Sequence, residues 1–288
     1  MTRNDPDTVG RSEVVAIDAE GAMASVTGDW VATAPALSPD GEHVVVTRAE
    51  GDYESSGPDS TSLWVIGVDG SGARQLTDGP MDDHPAWSPD GHSIVFVRRA
   101  DSLDGGDDLL QVEASGGSPT ELLPAAEGGM SFRSPTWSRD GERLAYVRTS
   151  VGAAPEYQAT SEVWSVDSDG GRARLIAEVP GAHTVSWAPD GASLLVSELG
   201  GEDGTVSLLD VVTGRRTVLF ERAALADWSQ DGERVYFVQR DTPPPEMTRW
   251  RLMVALLDGT TMGVPTPVGD VGDSYVYGYF GLAVGPCG

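Results

Sequence analysis

Lysine is absent from this sequence. All 19 basic residues are arginine, set against 45 aspartates and glutamates, for a formal net charge of −26. A phosphate-binding Gly-x-x-x-x-Gly-Lys-Ser/Thr loop is therefore excluded. A surface of this sign also repels phosphate backbones and anionic lipid, so nucleic acid and acidic membranes are not expected as partners. The single cysteine, Cys287, excludes an intrachain disulfide and a cysteine-based metal centre. No run of 18 apolar residues occurs, so no membrane-spanning helix is expected. The first residues, MTRNDPDTVGRSEVVAID, lack the apolar core of an export signal. The expectation is a soluble, cytoplasmic protein as numbered, or an extracytoplasmic one if an export segment has been removed. A Gly-x-Ser-x-Gly nucleophile elbow is missing too, which argues against a serine hydrolase.

What the sequence does have is glycine, 36 residues, and proline, 19, placed at regular intervals. One pattern occurs five times. It reads Pro35-Ala-Leu-Ser-Pro-Asp-Gly41, Pro85-Ala-Trp-Ser-Pro-Asp-Gly91, Pro135-Thr-Trp-Ser-Arg-Asp-Gly141, Val185-Ser-Trp-Ala-Pro-Asp-Gly191 and Ala226-Asp-Trp-Ser-Gln-Asp-Gly232, each followed by an apolar run such as Ile94-Val-Phe96. The aspartates fall at positions 40, 90, 140, 190 and 231. Proline presets φ in such a turn, aspartate tolerates the next position, and glycine takes the left-handed conformation that closes a hairpin. A second hairpin follows in each unit, as in Leu63-Trp-Val-Ile-Gly-Val-Asp-Gly70 with Ala73-Arg-Gln-Leu76. Four short antiparallel strands per repeat of this length predict the blade of a β-propeller.

The chain ends supply two further halves. Glu13–Val26 reads as a second hairpin with no first, and Tyr275–Val284 as a first hairpin with no second. The expected architecture is all-β: a six-bladed propeller of four-stranded antiparallel blades, its ring closed by one blade shared between the N- and C-termini. The whole chain, 1–288, reads as one domain. It comprises a flexible segment 1–12, the propeller 13–284 and a tail 285–288, and a monomer is expected.

The runs Pro-Ala-Trp-Ser-Pro-Asp-Gly-His-Ser-Ile-Val-Phe and Leu-Trp-Val-Ile-Gly-Val-Asp-Gly-Ser-Gly-Ala-Arg-Gln-Leu-Thr resemble the WD-like repeat of the TolB propeller family over roughly residues 13 to 284. The resemblance implies the fold. It also implies that the strand entering each Ser-Pro-Asp-Gly turn lies innermost. It leaves function open, because propellers of this family occur as binding domains, as accessory domains of serine peptidases and in some lyases.

Positions that repeat in every blade serve the blade. The turn aspartates and Trp87, Trp137, Trp187 and Trp228 are therefore expected to be structural. Positions that vary are free for recognition. Four residues before the aromatic the copies carry Thr33, Asp83, Arg133, His183 and Ala224, and one residue later Ala34, His84, Ser134, Thr184 and Leu225. With Asp227, which stands where the other copies have Ala36, Ala86, Thr136 and Ser186, and with Tyr53 and Tyr157 on long inter-hairpin connections, these mark the mouth of the channel opposite the tight turns. The candidate ligand-binding residues are Asp83, His84, Arg133, His183, Asp227, Tyr53 and Tyr157. Asp227 is expected to meet an arginine, such as Arg133, or a ligand in the channel.

Two functions fit. In the first the rim binds a protein or peptide segment, the chain being a scaffolding module without catalytic residues or cofactor. In the second Asp83, His84 and His183 hold a divalent metal for a lyase or hydrolase acting on a carbohydrate or lactone. Calcium could suit the acidic stretches Asp101–Asp108 and Met81–Asp83, but their spacing is not that of an EF-hand, and solvated loops are the reading adopted.

Overall fold

The computed structural model describes residues 2–4, 12–17, 22–51, 59–99, 106–124, 130–150, 160–198, 204–229, 231–240, 249–258, 261–262 and 266–273. Strands β1 (Thr2–Asn4), β2 (Ser12–Ile17) and β3 (Met23–Ser25) make an antiparallel sheet with β2 in the middle. Blade one follows, with β4 (Ala32–Leu37), β5 (His43–Glu50), β6 (Ser60–Gly67) and β7 (Arg74–Gln75). Blade two is β8 (Asp82–Trp87), β9 (Ser93–Arg98), β10 (Asp108–Glu113) and β11 (Thr120–Leu123). Blade three is β12 (Met130–Trp137), β13 (Arg143–Ser150), β14 (Ser161–Asp167) and β15 (Arg174–Glu178). Blade four is β16 (Ala182–Trp187), β17 (Ser193–Glu198), β18 (Thr205–Asp210) and β19 (Arg216–Glu221). Blade five is β20 (Ala223–Trp228), β21 (Arg234–Arg240) and β22 (Arg249–Asp258), with β23 (Thr261–Met262) and β24 (Thr266–Asp273) both paired to β22.

Five complete blades, not the expected six, stand among the described residues. The would-be sixth is the three-stranded sheet at the N-terminus. There the free edge of β2 is taken by β1, with Thr2 opposite Val14, so part of the segment expected to be flexible is a strand. Tyr275–Val284, on which closure through a shared blade depends, lies outside the described residues. The outer strand β24 also went unread in the sequence. It carries Pro267, a residue tolerated where a strand has a partner on one side only.

The first strands β4, β8, β12, β16 and β20 lie side by side from blade to blade and form the inner wall. Each blade's second strand is buried on both faces, which is why it reads as an unbroken apolar run rather than an alternation. In β9, Ile94 and Phe96 pack with Val45 and Leu63 of blade one. Its Val95 and Val97 point the other way, onto Phe132, Leu144 and Tyr146 of blade three. The same interleaving joins blade three to four through Val147, Trp187 and Leu194. It joins blade four to five through Leu195, Phe220 and Phe237, whose last two rings stack at 4.1 Å. Val14 and Val26 of the N-terminal sheet close on Val44 and Val46 of blade one. Each fully buried Leu or Phe contributes roughly 1.5–3 kcal/mol, so the stability resides between blades as much as within them.

The turn between first and second strands works as the sequence predicts, with one addition. Asp90 Oδ1 accepts the Ser88 hydroxyl at 2.6 Å and the His92 N–H at 3.0 Å, and Gly91 N donates to Ser88 O at 2.9 Å. The Ser138–Asp140 pair repeats this at 2.6 Å. The hydroxyl, then the backbone N–H, holds Asp40, Asp90, Asp140 and Asp231 below the ordinary carboxylate pKa. The addition is a contact between neighbouring turns. The proline of one blade sits against the glycine of the next, so that a Cβ on Gly232, at φ +75°, would lie 2.7 Å from Pro189 Cγ, whereas one on Gly91, at φ +73°, would meet Pro39 at 3.9 Å. Where Arg139 replaces the proline, Arg143 takes up the contact, lying 4.7 Å from the Trp187 ring centroid and donating to Gly191 O at 3.2 Å.

Gly91→Ala is expected to cost about 1–2 kcal/mol for the left-handed backbone alone. Gly232→Ala should cost more, because the rigid proline ring must also shift. Chemical denaturation of the two variants checks the order, and equal losses would show that the turn-to-turn contact contributes nothing.

Candidate functional site

The inner strands enclose a cavity of about 520 Å³ on the axis of the blades. Its wall is built in tiers, one residue per blade. Ala34, His84, Ser134, Thr184 and Leu225 form one end, then come Ala36, Ala86, Thr136, Ser186 and Asp227, and then Leu37 with the four repeat tryptophans. Pro39, Pro89, Arg139 and Pro189 of the tight turns, with Ser229, lie at the other end. The cavity thus extends along the inner strands to the turn face, which the sequence reading had left without a functional part.

A bulge that sequence reasoning missed sets the first tier. Every inner strand slips register against its neighbour, between Thr33 and Ala36, Asp83 and Ala86, Arg133 and Thr136, Ala182 and Thr184, and Ala224 and Asp227. In four blades the residue in the slip is left-handed without being glycine: Ala34 at φ 46°, His84 at 52°, Ser134 at 48° and Leu225 at 54°. Each such residue costs on the order of 1–3 kcal/mol. The following Pro35, Pro85 or Pro135 already disfavours the right-handed helical conformation there. The bulge breaks the strict alternation of the strand, which is how adjacent variable positions such as Asp83 and His84 come to differ in role.

His84 and Asp227 line the cavity. Asp83 does not: its side chain is 6% exposed, and its carboxylate accepts Thr47 Oγ1 at 3.0 Å, His84 N at 2.8 Å and Arg99 Nη2 at 3.0 Å. Burial pushes this carboxyl up. The charges of His84 and Arg99 and the two other hydrogen bonds outweigh it and hold Asp83 below its ordinary pKa. Beside it Asp82, fully buried, takes Arg98 in a bidentate pair at 2.6 and 2.8 Å. The signal for both pairs was present as Asp82-Asp83 facing Arg98-Arg99 across one hairpin. Burial lowers His84 to about 4, against the pull of Asp83, and Arg99 and Arg133 add to the lowering. Burial, Arg133 and His84 lower His183 to about 3. Both imidazoles are neutral at pH 7. His84 Nε2 and Thr184 Oγ1 are buried without a hydrogen-bond partner among the described residues.

Asp227 meets Ser186 of the preceding blade, whose hydroxyl donates to Oδ1 at 2.6 Å, and the same oxygen accepts Trp228 N at 2.9 Å. Asp83, His84 and His183 do not bring ligand atoms together. Among the described residues the one group that does so within 4.8 Å is the exposed set Asp40, Glu42 and His43 at the first turn. Tyr53, Tyr157 and residues 101–105 lie outside the described residues; the expectation of solvated acidic loops fails where it can be followed, since Asp107 is buried and Asp82 and Asp83 are buried in β8. No helix among the described residues is long and apolar enough to cross a membrane.

Antiparallel four-stranded blades packed side by side around an axial cavity define a β-propeller. The chain belongs to the TolB β-propeller domain family, whose model matches residues 10–224. Among curated proteins it is similar to the Tol-Pal system protein TolB of Hydrogenovibrio crunogenus, 29% identical over 103 residues, which is 36% of this chain and 21% of that protein. It is similar as well to a Bacillus subtilis protein named as an uncharacterized peptidase, YuxL, 28% identical over 128 residues, 42% of this chain and 18% of that one. The chain therefore matches only about a fifth of the length of these relatives. Among solved structures, that of a TolB from Agrobacterium tumefaciens superposes with a TM-score of 0.69 over 96% of this chain and 93% of that one, at 16% identity. A likeness at that identity concerns the fold.

Histidines held neutral by burial stabilise the fold fully above their unfolded pKa near 6.5 and progressively less as the pH falls toward the folded values. Stability should therefore drop between pH 6.5 and about 4, by up to about 1.4 kcal/mol per pH unit for each histidine. Thermal melts across that range should show the slope in the wild type and a flatter one in His84→Asn/His183→Gln. An unchanged slope would mean that neither imidazole is held neutral.

Proposed function

We propose that the chain is a recognition module that binds a protein or peptide segment in its axial channel. The observation that carries this reading is the tiered wall. Five blades with similar turns and cores present different side chains along their inner strands, and these enclose a cavity of about 520 Å³, within the size range of ligand pockets. Its mix of apolar surface and a few fixed polar groups suits an extended segment better than a charged cluster would. The relatives named as Tol-Pal system proteins are in keeping with a role in protein assembly. The engaged carboxylate of Asp83 and the separation of its ligand atoms from those of His84 and His183 give the metal-dependent alternative no support. His84 and Asp227 are proposed to contact the segment from within. Arg133 and His183 are proposed to set the potential at the bulge end, and Tyr53 and Tyr157 to extend the rim.

The proposal includes a ring of six blades, closed when residues 275–284 join the sheet of β1, β2 and β3. Truncation after Asp273 should then lower the melting temperature by several degrees, and an unchanged melt would argue for an open arc.

Binding is tested by selecting peptides from a displayed random library on the wild-type protein. The enriched peptides should lose binding to Ala36→Trp and to Thr136→Phe, two plugs of the channel on different blades, each checked for an unchanged melt. They should keep binding to Glu121→Arg on the exposed outer strand β11. Peptides indifferent to both plugs, or no enrichment, would overturn the reading.

A further inference from the structure

We infer that the guanidinium of Arg48, held against Trp30 and Trp64 where blade one meets the N-terminal sheet, is a site for one carboxylate of the bound segment. The inference rests on the peptide-binding reading and adds the chemistry of one contact to it.

The site is rigid on the protein's side. Arg48 Cζ lies 4.4 Å from the Trp30 ring centroid and 4.8 Å from that of Trp64, and the two rings meet edge to face at 5.0 Å. The Trp64 indole N–H donates to Ser62 Oγ at 3.1 Å, which fixes that ring. All three side chains are half-buried. An aromatic ring engages the flat face of a guanidinium and leaves its N–H groups, which lie in the plane, for other partners. Arg48 uses none of them: it makes no hydrogen bond or ion pair among the described residues. Its register partner on the inner strand is Ala32, two residues before the first-tier Ala34, so the group stands beside the bulge end of the channel.

The other blades show what this position carries when it is complete. In each, one residue of the second strand is flanked by one of the first strand and one of the third. In blade two Arg98 stands between Asp82 and Asp108 and forms its bidentate pair with Asp82. In blade three Arg148 has Phe132 on one side and Glu162 on the other. In blade four the polarity is reversed, with Glu198 paired to Arg216 and accepting the Ser207 hydroxyl at 2.9 Å. Blade five is neutral there, with Gln239 opposite Ala223. Blade one keeps the arginine and lacks the counter-ion, because Arg48 stands between Ala32 and Ser62.

Carboxylates are not scarce in a chain with 45 of them to 19 arginines, so the gap is not one of supply. Taking a guanidinium partly out of water without an ionic partner costs free energy that the two indoles offset only in part. A carboxylate arriving with the ligand completes the site through two parallel charge-assisted hydrogen bonds. The net charge of −26 meanwhile repels anions at long range, which disfavours a polyacidic segment. The chemistry that fits is a single carboxylate, from an acidic side chain or from a chain's C-terminus, in a segment otherwise neutral or basic.

The test uses two pairs of tripeptides, titrated against tryptophan fluorescence. Ac-Ala-Glu-Ala-NH2 against Ac-Ala-Gln-Ala-NH2 reports a side-chain carboxylate, and Ac-Ala-Ala-Ala-OH against Ac-Ala-Ala-Ala-NH2 a terminal one. In at least one pair the acid should bind about tenfold more tightly than the amide, and the pair that shows it identifies the source. Arg48→Gln should bring that ratio close to one. Arg48→Lys keeps the charge against the indoles but cannot form the two parallel bonds, and should lower the ratio several-fold; it decides the matter if Arg48→Gln does not fold. Arg215→Gln, which removes an exposed positive charge from the outer turn of blade four, should leave the ratio unchanged. An arginine that only cements the junction would give lowered melts for both Arg48 variants and wild-type ratios of one. Such ratios in both pairs, no binding of either acid, a preference that survives the Arg48 substitutions, or an equal loss in Arg215→Gln would each overturn the inference. Library-selected peptides that lose binding to Ala36→Trp but keep it with Arg48→Gln and Arg48→Lys would leave the binding reading standing and remove this one.

Discussion

The structure depends on one constraint: the second strand of each blade must be buried on both faces at once. A blade alone exposes half of that strand's apolar residues, and a neighbour on each side covers them. Ile94 and Phe96 cannot be satisfied without blade one, nor Val95 and Val97 without blade three. Blades are therefore mutually dependent, and the innermost strands are brought together as a by-product of packing that happens farther out. The axial cavity is what remains when those strands can approach no closer.

That geometry divides the inner strand into two kinds of position. The turn end is governed by local chemistry, with serine, aspartate and glycine closing the hairpin and a proline or arginine filling the space against the next blade. The bulge end is governed by register, and the backbone there accepts left-handed residues that no local propensity would choose. Trp87 shows the two regimes meeting: its indole N–H donates to the Ala36 carbonyl of the preceding blade at 3.1 Å while its ring lines the cavity. A residue repeated for packing is thus also part of the wall, although its identity carries no information about the ligand.

The blade and its turns were legible in the sequence because Ser-Pro-Asp-Gly has a local physical meaning and recurs at a blade-sized interval. The variable ring at Ala34, His84, Ser134, Thr184 and Leu225 was legible by the converse argument. Four things were not. The bulge leaves no local mark beyond a proline one residue on. The depth of Asp83 depends on Arg99, which follows the next strand, and on Thr47, which comes from the preceding blade. One partner of Asp227 is a serine forty-one positions away in sequence, beyond any local pattern. Closure of the ring depended on a terminal half-repeat that lacks the turn signal. Arg139 was visible as a departure from the turn motif, yet a turn tolerates it, so its place on the cavity rim emerged only in three dimensions.

The recurring left-handed bulge has a consequence for how such a wall can change. Its conformational cost arises in the backbone of each blade and is met by that blade's own neighbours. A side chain in the first tier can therefore be exchanged in one blade while the backbone of the others stays in place, except at Ser134, whose hydroxyl accepts the Val185 N–H of the next blade at 3.2 Å. The wall behaves like a short word written with one letter per blade, in which alanine, histidine, serine, threonine and leucine are the present spelling. Diversification of what the channel accepts requires no new fold, loop or cofactor, only the substitution of single letters on a frame already strained to display them.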